Sequence, residues 1–93
     1  MTWGSPVEIE TRNRIRLSVA AHSYEMHSRS FLSDAEYDAL SREIDLSIST
    51  TNPKLDNFFR EHFHPDTGMW IHKHPDRAGL EKLYQKFYKD RSK

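Results

Sequence analysis

One stretch of this sequence, Ser33-Asp34-Ala35-Glu36-Tyr37-Asp38-Ala39-Leu40-Ser41-Arg42-Glu43-Ile44, carries the strongest local signal for the fold. A serine followed three residues later by a glutamate has the form of a capping box, in which each side chain accepts a hydrogen bond from the other residue's backbone N–H group. Apolar or aromatic side chains then recur at helical spacing, at Tyr37, Leu40 and Ile44. The stretch therefore predicts a helix that begins after Ser33 and ends near residue 46.

The residues before this stretch predict a longer helix, from residue 7 to about residue 28. Pro6 suits the first turn of a helix. One stripe of side chains follows at helical spacing, at Ile15, Val19, His22 and Met26. Two helices joined by a few residues are usually antiparallel neighbours, and the small side chains of Ala20 and Ala21 would allow a partner helix to approach closely. We therefore expect an antiparallel helical hairpin.

Two further amphipathic helices are predicted after the hairpin. Asn52-Pro53 and His74-Pro75 each place a proline where a helix begins. Aromatic-rich stripes at +3, +4, +7 and +8 spacing follow, at Leu55, Phe58, Phe59, His62 and Phe63 and again at Leu80, Leu83, Tyr84, Phe87 and Tyr88. The fourth helix is expected to end near Asp90. The predicted fold is mainly α, with a short extended or turn segment near residues 64–73, in which Met69-Trp70-Ile71 is expected to be extended.

Composition limits both the size and the class of the protein. A chain of 93 residues with 35% hydrophobic residues fills one small core, so residues 1–93 are expected to form a single domain. Lys and Arg (14) balance Asp and Glu (14), which gives no bulk attraction to nucleic acid or anionic lipid. The absence of cysteine excludes a disulfide framework and a thiol nucleophile. Since no apolar run approaches the ~20 residues of a membrane span, we expect a cytoplasmic protein that does not associate with membranes.

Residues 8–56 resemble a known family. The motif from Asp34 to Ile44 is similar to the D-A-E-Y-D-x-L-x-R-E-L signature in the N-terminal helical (Ia) domain of bacterial NAD-dependent DNA ligases. Tyr24 lies thirteen residues before Tyr37, as a first-helix tyrosine does in that family. The later Asn52-Pro53-Lys54-Leu55 is similar to the family's Y-P-E-L. The resemblance implies a ligase Ia-like hairpin over residues 8–56, with residues 57–93 as an aromatic helical extension.

The resemblance also implies a site for nicotinamide mononucleotide or NAD. Tyr24 and Tyr37 would border the nicotinamide ring, and Asp34 and Asp38 would bind ribose hydroxyls or balance the pyridinium charge. An aromatic face attracts a cation by ~0.5–2 kcal/mol, and a carboxylate in the first turn of a helix is favoured by the helix dipole. These contacts are compatible with the residues present.

Departures from the ligase pattern limit the functions that the resemblance can imply for this chain. Glu25 stands where the family has a histidine, which adds negative charge beside the expected phosphate. No K-x-D-G string is present, so the nucleophilic lysine of the adenylation domain is missing and ligation is excluded. A simpler interpretation remains open, in which Tyr24 packs against Tyr37 and the motif only caps and packs a helix.

The histidines suggest a second possible site. His62, His64, His72 and His74 flank the turn from Pro65 to Gly68. If the flanking residues were extended, alternate side chains would share a face and four imidazoles could converge on zinc. Against this, His62 and His74 also fit helical positions, and solvated or core-edge histidines explain the pattern equally simply. We therefore assign no metal ligands from the sequence, and we expect His22 and His27 to be ordinary edge residues.

Two other surfaces could bind a partner. Basic side chains are frequent near the C-terminus, at Lys73, Arg77, Lys82, Lys86, Lys89, Arg91 and Lys93. With Trp70, Tyr84 and Tyr88 they resemble the alternating basic and aromatic residues of single-strand binders, although a basic helix stripe is often only solvated. Met69, Trp70 and Ile71 are candidates for a protein contact, or for closing the end of the core.

No catalytic constellation is evident, so we expect a non-enzymatic module. The sequence favours an adaptor or modulator that binds a protein of nucleic-acid metabolism. Its small size and motif are similar to those of accessory proteins of tailed phages and prophages. A nicotinamide mononucleotide- or NAD-binding module and a basic nucleic-acid-binding protein are the alternatives.

Overall fold

Four α-helices form most of the molecule, in a computed structural model that describes residues 4–65 and 67–89. They are α1 (Pro6–His27), α2 (Asp34–Glu43), α3 (Pro53–His62) and α4 (Arg77–Leu83). A 3₁₀ helix, Met69–Lys73, precedes α4, and a π-helical turn, Tyr84–Tyr88, continues it. The mainly α prediction is confirmed, and no strand occurs within the described ranges. None of the described helices combines the length and apolar character that crossing a bilayer requires.

The predicted helix starts are present for α2 and α3. The Ser33 hydroxyl accepts a hydrogen bond from the Glu36 N–H (3.1 Å), and the Glu36 carboxylate accepts one from the Ser33 N–H (3.0 Å), which completes the capping box. The Asn52 side chain accepts a hydrogen bond from the Leu55 N–H at 3.2 Å. Local side-chain chemistry therefore fixes where both helices begin.

Two predicted boundaries and one predicted conformation were wrong. α2 ends at Glu43 rather than near residue 46, because Ile44 adopts an extended backbone (φ −66°, ψ 124°). Met69–Lys73 is a 3₁₀ helix and not an extended segment. α4 begins after Asp76, whose carboxylate accepts a hydrogen bond from the Gly79 N–H (3.0 Å), rather than at Pro75. The predicted end of the fourth helix at Asp90 lies outside the described residues.

α1 runs through the middle of the fold and contacts α2, the 3₁₀ helix and α4. All residues from 17 to 23 are buried, so the centre of α1 is covered on every side. A helix that is buried all round does not follow a single apolar stripe. For this reason the predicted stripe was only partly right: Val19 and His22 are buried, whereas Ile15 is 37% exposed.

Aromatic side chains connect α3 to the 3₁₀ helix. The Trp70 ring centroid lies 5.3 Å from Phe59 and 5.2 Å from Phe63, and Phe58 is 6.0 Å away. Tilted and edge-on pairs at these distances contribute about 0.5–1.5 kcal/mol each beyond the burial of their area. The predicted position of His62 in the buried α3 stripe was wrong, because His62 is exposed at the end of the helix.

A buried ion-pair network joins α1, α3 and the segment between α2 and α3. The Arg14 guanidinium donates hydrogen bonds to the carboxylates of Glu10 (2.6 Å) and Asp56 (2.8 Å). It also donates to the backbone carbonyls of Asp45 (2.8 Å) and Ile48 (3.0 Å). All three charged side chains are at most 5% exposed.

The two carboxylates hold backbone groups in return. Both Glu10 carboxylate oxygens accept a hydrogen bond from the Asp45 N–H at 3.1 Å. Asp56 accepts hydrogen bonds from the Thr50 N–H (2.9 Å) and hydroxyl (2.5 Å). Because each buried charge has several partners, removing one member would leave the others unpaired in a low dielectric.

Replacing Arg14 by methionine should therefore destabilise the fold by roughly 3–5 kcal/mol, since two buried carboxylates would lose their counter-charge. Arg42→Met is the matched control, because Arg42 pairs with Asp38 at 3.2 Å on the surface and such pairs contribute about 0–1 kcal/mol. Urea denaturation at pH 7 measures both losses. Equal losses in the two variants would contradict a special role for Arg14.

Candidate functional site

Three of the four residues assigned to a nicotinamide site lie around one cavity. Tyr24, Asp34 and Tyr37 line a space of about 250 Å³, which we call the tyrosine cavity. The remaining lining residues are Ala20, Ala21, Glu25, Ser30, Leu32, Thr67, Gly68 and Met69. The volume is below the roughly 300–1,000 Å³ of most small-molecule pockets, so it suits one ring rather than a whole nucleotide.

Asp38 does not line the tyrosine cavity. Its carboxylate instead accepts a hydrogen bond from Arg42 at 3.2 Å, and both side chains are more than half exposed. Asp34 and Asp38 share a helix face, as their spacing predicts, but only Asp34 reaches the cavity.

The Tyr37 hydroxyl is the polar group that the fold leaves unsatisfied at this cavity. It is buried, and its proton has no acceptor among the described residues, while the Trp70 side chain hydrogen-bonds to its oxygen. Gly68 lies close to it: a Cβ atom there would be 3.4 Å from the hydroxyl oxygen and 3.7 Å from Ala21 Cβ. Burial raises the pKa of Tyr37 to about 12, with the Trp70 side chain opposing the rise and the Glu25 charge adding to it. The phenol is therefore neutral and available as a hydrogen-bond donor.

The charge of the tyrosine cavity favours a cation. Glu25, the residue that departs from the ligase pattern, lines the cavity together with Asp34. His72 lies 2.8 Å from the Glu25 carboxylate (Nε2 to Oε1). Even with a charge on His72, the two carboxylates leave the cavity negative, and with two tyrosines beside them they favour a positively charged ring over a phosphate.

The candidate partner residues Met69, Trp70 and Ile71 divide between core and surface. Trp70 and Ile71 are 4% and 0% exposed, which makes them core residues that a partner cannot touch in this fold. Met69 is 60% exposed and lines the tyrosine cavity.

The predicted nucleic-acid surface loses two of its stacking residues, because Trp70 and Tyr84 both lie in the core. Arg91 and Lys93 of that surface lie outside the described residues.

The four histidines around the Pro65 turn form no cluster of metal-ligating groups within the described part of the chain. His72 faces Glu25, and His74 is buried against the Phe58 ring, 5.1 Å between centroids. The His74 Nδ1 atom accepts a hydrogen bond from the Asp76 N–H at 3.0 Å. His72 and His74 therefore have different neighbours and do not face a common point.

A different histidine pair converges on one carboxylate. The Nε2 atoms of His22 and His27 lie 2.9 Å and 2.7 Å from the same Glu81 oxygen, Oε1. Gln85 donates a hydrogen bond to the other oxygen, Oε2, at 2.7 Å. Hydrogen bonds from Gln85, His22 and His27 lower the pKa of Glu81 to about 2, so the group is a carboxylate.

A second cavity is an open groove between α1, α3 and α4, with a volume of about 650 Å³. Its apolar lining includes Ile15, Leu55, Phe59, Leu83 and Phe87, and we call it the α1/α3/α4 groove.

Neither the Glu81 cluster nor the α1/α3/α4 groove was predicted from the sequence. His22 and His27 have the H-x4-H spacing of some zinc sites, but no cysteine pair accompanies them, and Glu81 is more than fifty residues away. The exposure of Phe87 was also unexpected, because it belongs to the apolar stripe of the fourth helix. The apolar stripe of a helix shows which side chains can be buried, but it does not show which of them a neighbouring helix covers.

Comparisons with protein-family models, curated proteins and solved structures give no match for this chain. The ligase resemblance therefore stays a prediction that rests on the motif residues.

Acidification should destabilise the fold through His74. Burial lowers the pKa of His74 to about 4 from an ordinary value of 6.5, with Asp76 opposing the shift and His22 adding to it. His74 is therefore protonated below about pH 6.5 in the unfolded chain but only below about pH 4 in the folded chain. The His74 contribution to stability is fully present above pH 6.5 and decreases as the pH falls towards 4, by about 2 kcal/mol between pH 7 and pH 5.

His74→Asn should remove that part of the pH dependence while keeping an acceptor for the Asp76 N–H. Urea denaturation at pH 7 and pH 5, in buffer with EDTA, measures the change. His62→Asn is the control, because His62 is exposed. If the loss of stability between pH 7 and pH 5 is the same in His74→Asn as in the parent chain, His74 is not its cause.

Proposed function

We propose that this chain is a non-catalytic adaptor that binds an acidic amphipathic helix of a partner protein in the α1/α3/α4 groove. The observation that carries this proposal is the exposure of large apolar side chains along the groove. Phe87 is 53% exposed and Ile15 is 37% exposed. Exposed apolar groups that line a concave surface are typical of protein contacts.

The shape of the groove supports a helical segment. Three helices supply its walls, and half-buried Leu55 and Leu83 lie between them. An amphipathic helix presents apolar side chains at i, i+3, i+4 and i+7, which is the pattern that such a groove accepts.

The charge of the groove supports an acidic partner. Lys82 and Lys86 are exposed and line the groove, and the Lys86 ammonium lies 5.3 Å from the Phe87 ring centroid. Arg14 also lines the groove, but its charge is matched by Glu10 and Asp56. Asp76 is engaged as the cap of α4. Carboxylates on the flanks of a bound helix would therefore meet two lysines.

The setting in nucleic-acid metabolism is part of the proposal, and it is supported only by the resemblance of residues 8–56 to a DNA ligase domain. A phage or prophage origin is supported only by the small size and the motif of the chain.

Binding of a designed peptide tests the groove. The probe is a fluorescein-labelled helical peptide with leucine at i, i+3, i+4 and i+7 and glutamate on its flanks. Fluorescence anisotropy should show binding that weakens about tenfold or more in Phe87→Ser and Ile15→Ser, because central apolar contacts dominate such interfaces. Lys82→Glu with Lys86→Glu should also weaken it, and a lysine-flanked peptide should bind poorly.

Ile9→Ser is the matched control for Ile15→Ser. Ile9 is 41% exposed on the same helix but does not line the groove. Equal effects of the two changes would overturn the proposal. So would a concentration-dependent dimer in sedimentation velocity that Phe87→Ser dissolves, since the groove would then bind a second copy of this chain.

A second candidate function is binding of a nicotinamide riboside or mononucleotide with its nicotinamide ring in the tyrosine cavity and the rest of the ligand outside it. It is favoured by the shared lining of Tyr24, Tyr37 and Asp34 and by the unsatisfied Tyr37 hydroxyl. Because Glu25 adds negative charge, the cationic riboside should bind at least as well as the mononucleotide, which carries a phosphate.

NMR titration of both ligands at millimolar concentration tests this candidate. The Tyr24 and Tyr37 signals should shift, and Asp34→Asn should weaken the response. Asp38→Asn is the control, because Asp38 faces Arg42 and not the cavity. Unshifted tyrosine signals, or equal effects of the two aspartate changes, would eliminate the candidate.

A further inference from the structure

Two imidazoles and one carboxylate converge where the end of α1 meets α4. His22 and His27 belong to the last two turns of α1, and Glu81 belongs to α4. One ligand atom from each of the three lies within 4.8 Å of the other two. It is the only such group of three or more potential metal ligands within residues 4–65 and 67–89.

The fold holds these three side chains in place from outside the cluster. The His27 ring stacks on the buried Tyr84 ring, with 4.7 Å between centroids. His22 is 4% exposed. The Gln85 amide holds the far carboxylate oxygen of Glu81 at 2.7 Å, which leaves the near oxygen directed at both imidazoles. Such outer contacts orient the ligands of metal sites.

The chemistry of the set is that of a transition-metal site. Two histidines and one carboxylate, with one further position open, form a common ligand set for zinc. Ligand atoms of a tetrahedral zinc at about 2.0–2.1 Å lie roughly 3.3 Å apart. The present separations of 2.7 Å and 2.9 Å therefore require an opening of about half an ångström. The Glu81 side chain is 37% exposed and can make this movement.

The cluster is open on one side. His27 and Glu81 are 31% and 37% exposed, so an ion could reach the cluster and keep a water ligand. Nε2 is the His22 atom that faces Glu81, so the ion would bind there and not at the buried Nδ1 atom.

We propose that His22, His27 and Glu81 bind a divalent transition-metal ion, zinc in particular, which clamps the end of α1 to α4. This site is separate from the α1/α3/α4 groove and from the tyrosine cavity, because none of its three residues lines either space. A metal that binds only the folded chain stabilises it by mass action.

Zinc titration of the full chain, prepared without a histidine tag and treated with EDTA followed by buffer exchange, tests this proposal. Calorimetry should show one zinc per chain. The melting temperature should rise by roughly 10–20 °C when zinc is about a hundredfold above its Kd. Cobalt, used as a spectroscopic probe, should give the visible absorption of a tetrahedral or five-coordinate ion.

His27→Gln and Glu81→Gln should each weaken zinc binding at least tenfold and abolish the melting shift. Both side chains are partly exposed, so these variants keep the packing that His22→Gln would disturb. His72→Gln is the matched control, because His72 also pairs with a carboxylate, Glu25 at 2.8 Å, but without a second imidazole. That variant should bind zinc like the parent chain.

Three outcomes would overturn the proposal: no heat and no melting shift at millimolar zinc, unchanged affinity in His27→Gln and Glu81→Gln, or loss of binding in His72→Gln or His64→Gln instead.

Discussion

The Arg14 ion-pair network is the constraint on which the rest of the structure depends. A guanidinium at the centre of α1 holds two carboxylates and two backbone carbonyls. The carboxylates in turn hold backbone N–H groups of the segment between α2 and α3. Ile44 and Leu46 of that irregular segment pack against the core, and charge-assisted hydrogen bonds hold its backbone beside α1 and α3. Together with the burial of Phe58 and Phe59 in the core, these bonds fix the position of α3 relative to α1.

The central position of α1 explains why every candidate site includes it. Its buried middle contacts the other elements, and its edges supply Ile15 to the groove, Tyr24 to the tyrosine cavity and His22 to the Glu81 cluster. The Glu81 cluster and the groove also share α4. A ligand that fixes α4 against α1 would therefore make one wall of the groove more rigid, which reduces the entropy lost on binding.

The ligase-like motif contributed more to the fold than to the site. Its capping residues begin α2 where the sequence predicts, because a capping box acts within one turn of chain. Its proposed ligand contacts depend on other elements. The Tyr37 hydroxyl lies beside Gly68, and the Asp38 carboxylate accepts a hydrogen bond from Arg42. Three of the four residues still meet around one cavity, although its volume suits a single ring.

The sequence by itself determined the helical class, the single small core and the start of α2 and α3, because periodicity and capping act over a few residues. Tertiary structure alone decided which polar groups are buried. Arg14 and Asp56 lie at helical positions that look solvent-exposed in the sequence, and their burial depends on partners more than thirty residues away. The meeting of His22 with Glu81, across 59 residues, was decided in the same way. Pairing between distant residues cannot be recognised from the sequence pattern, because the spacing of residues along a helix shows only which side chains share a face of that helix.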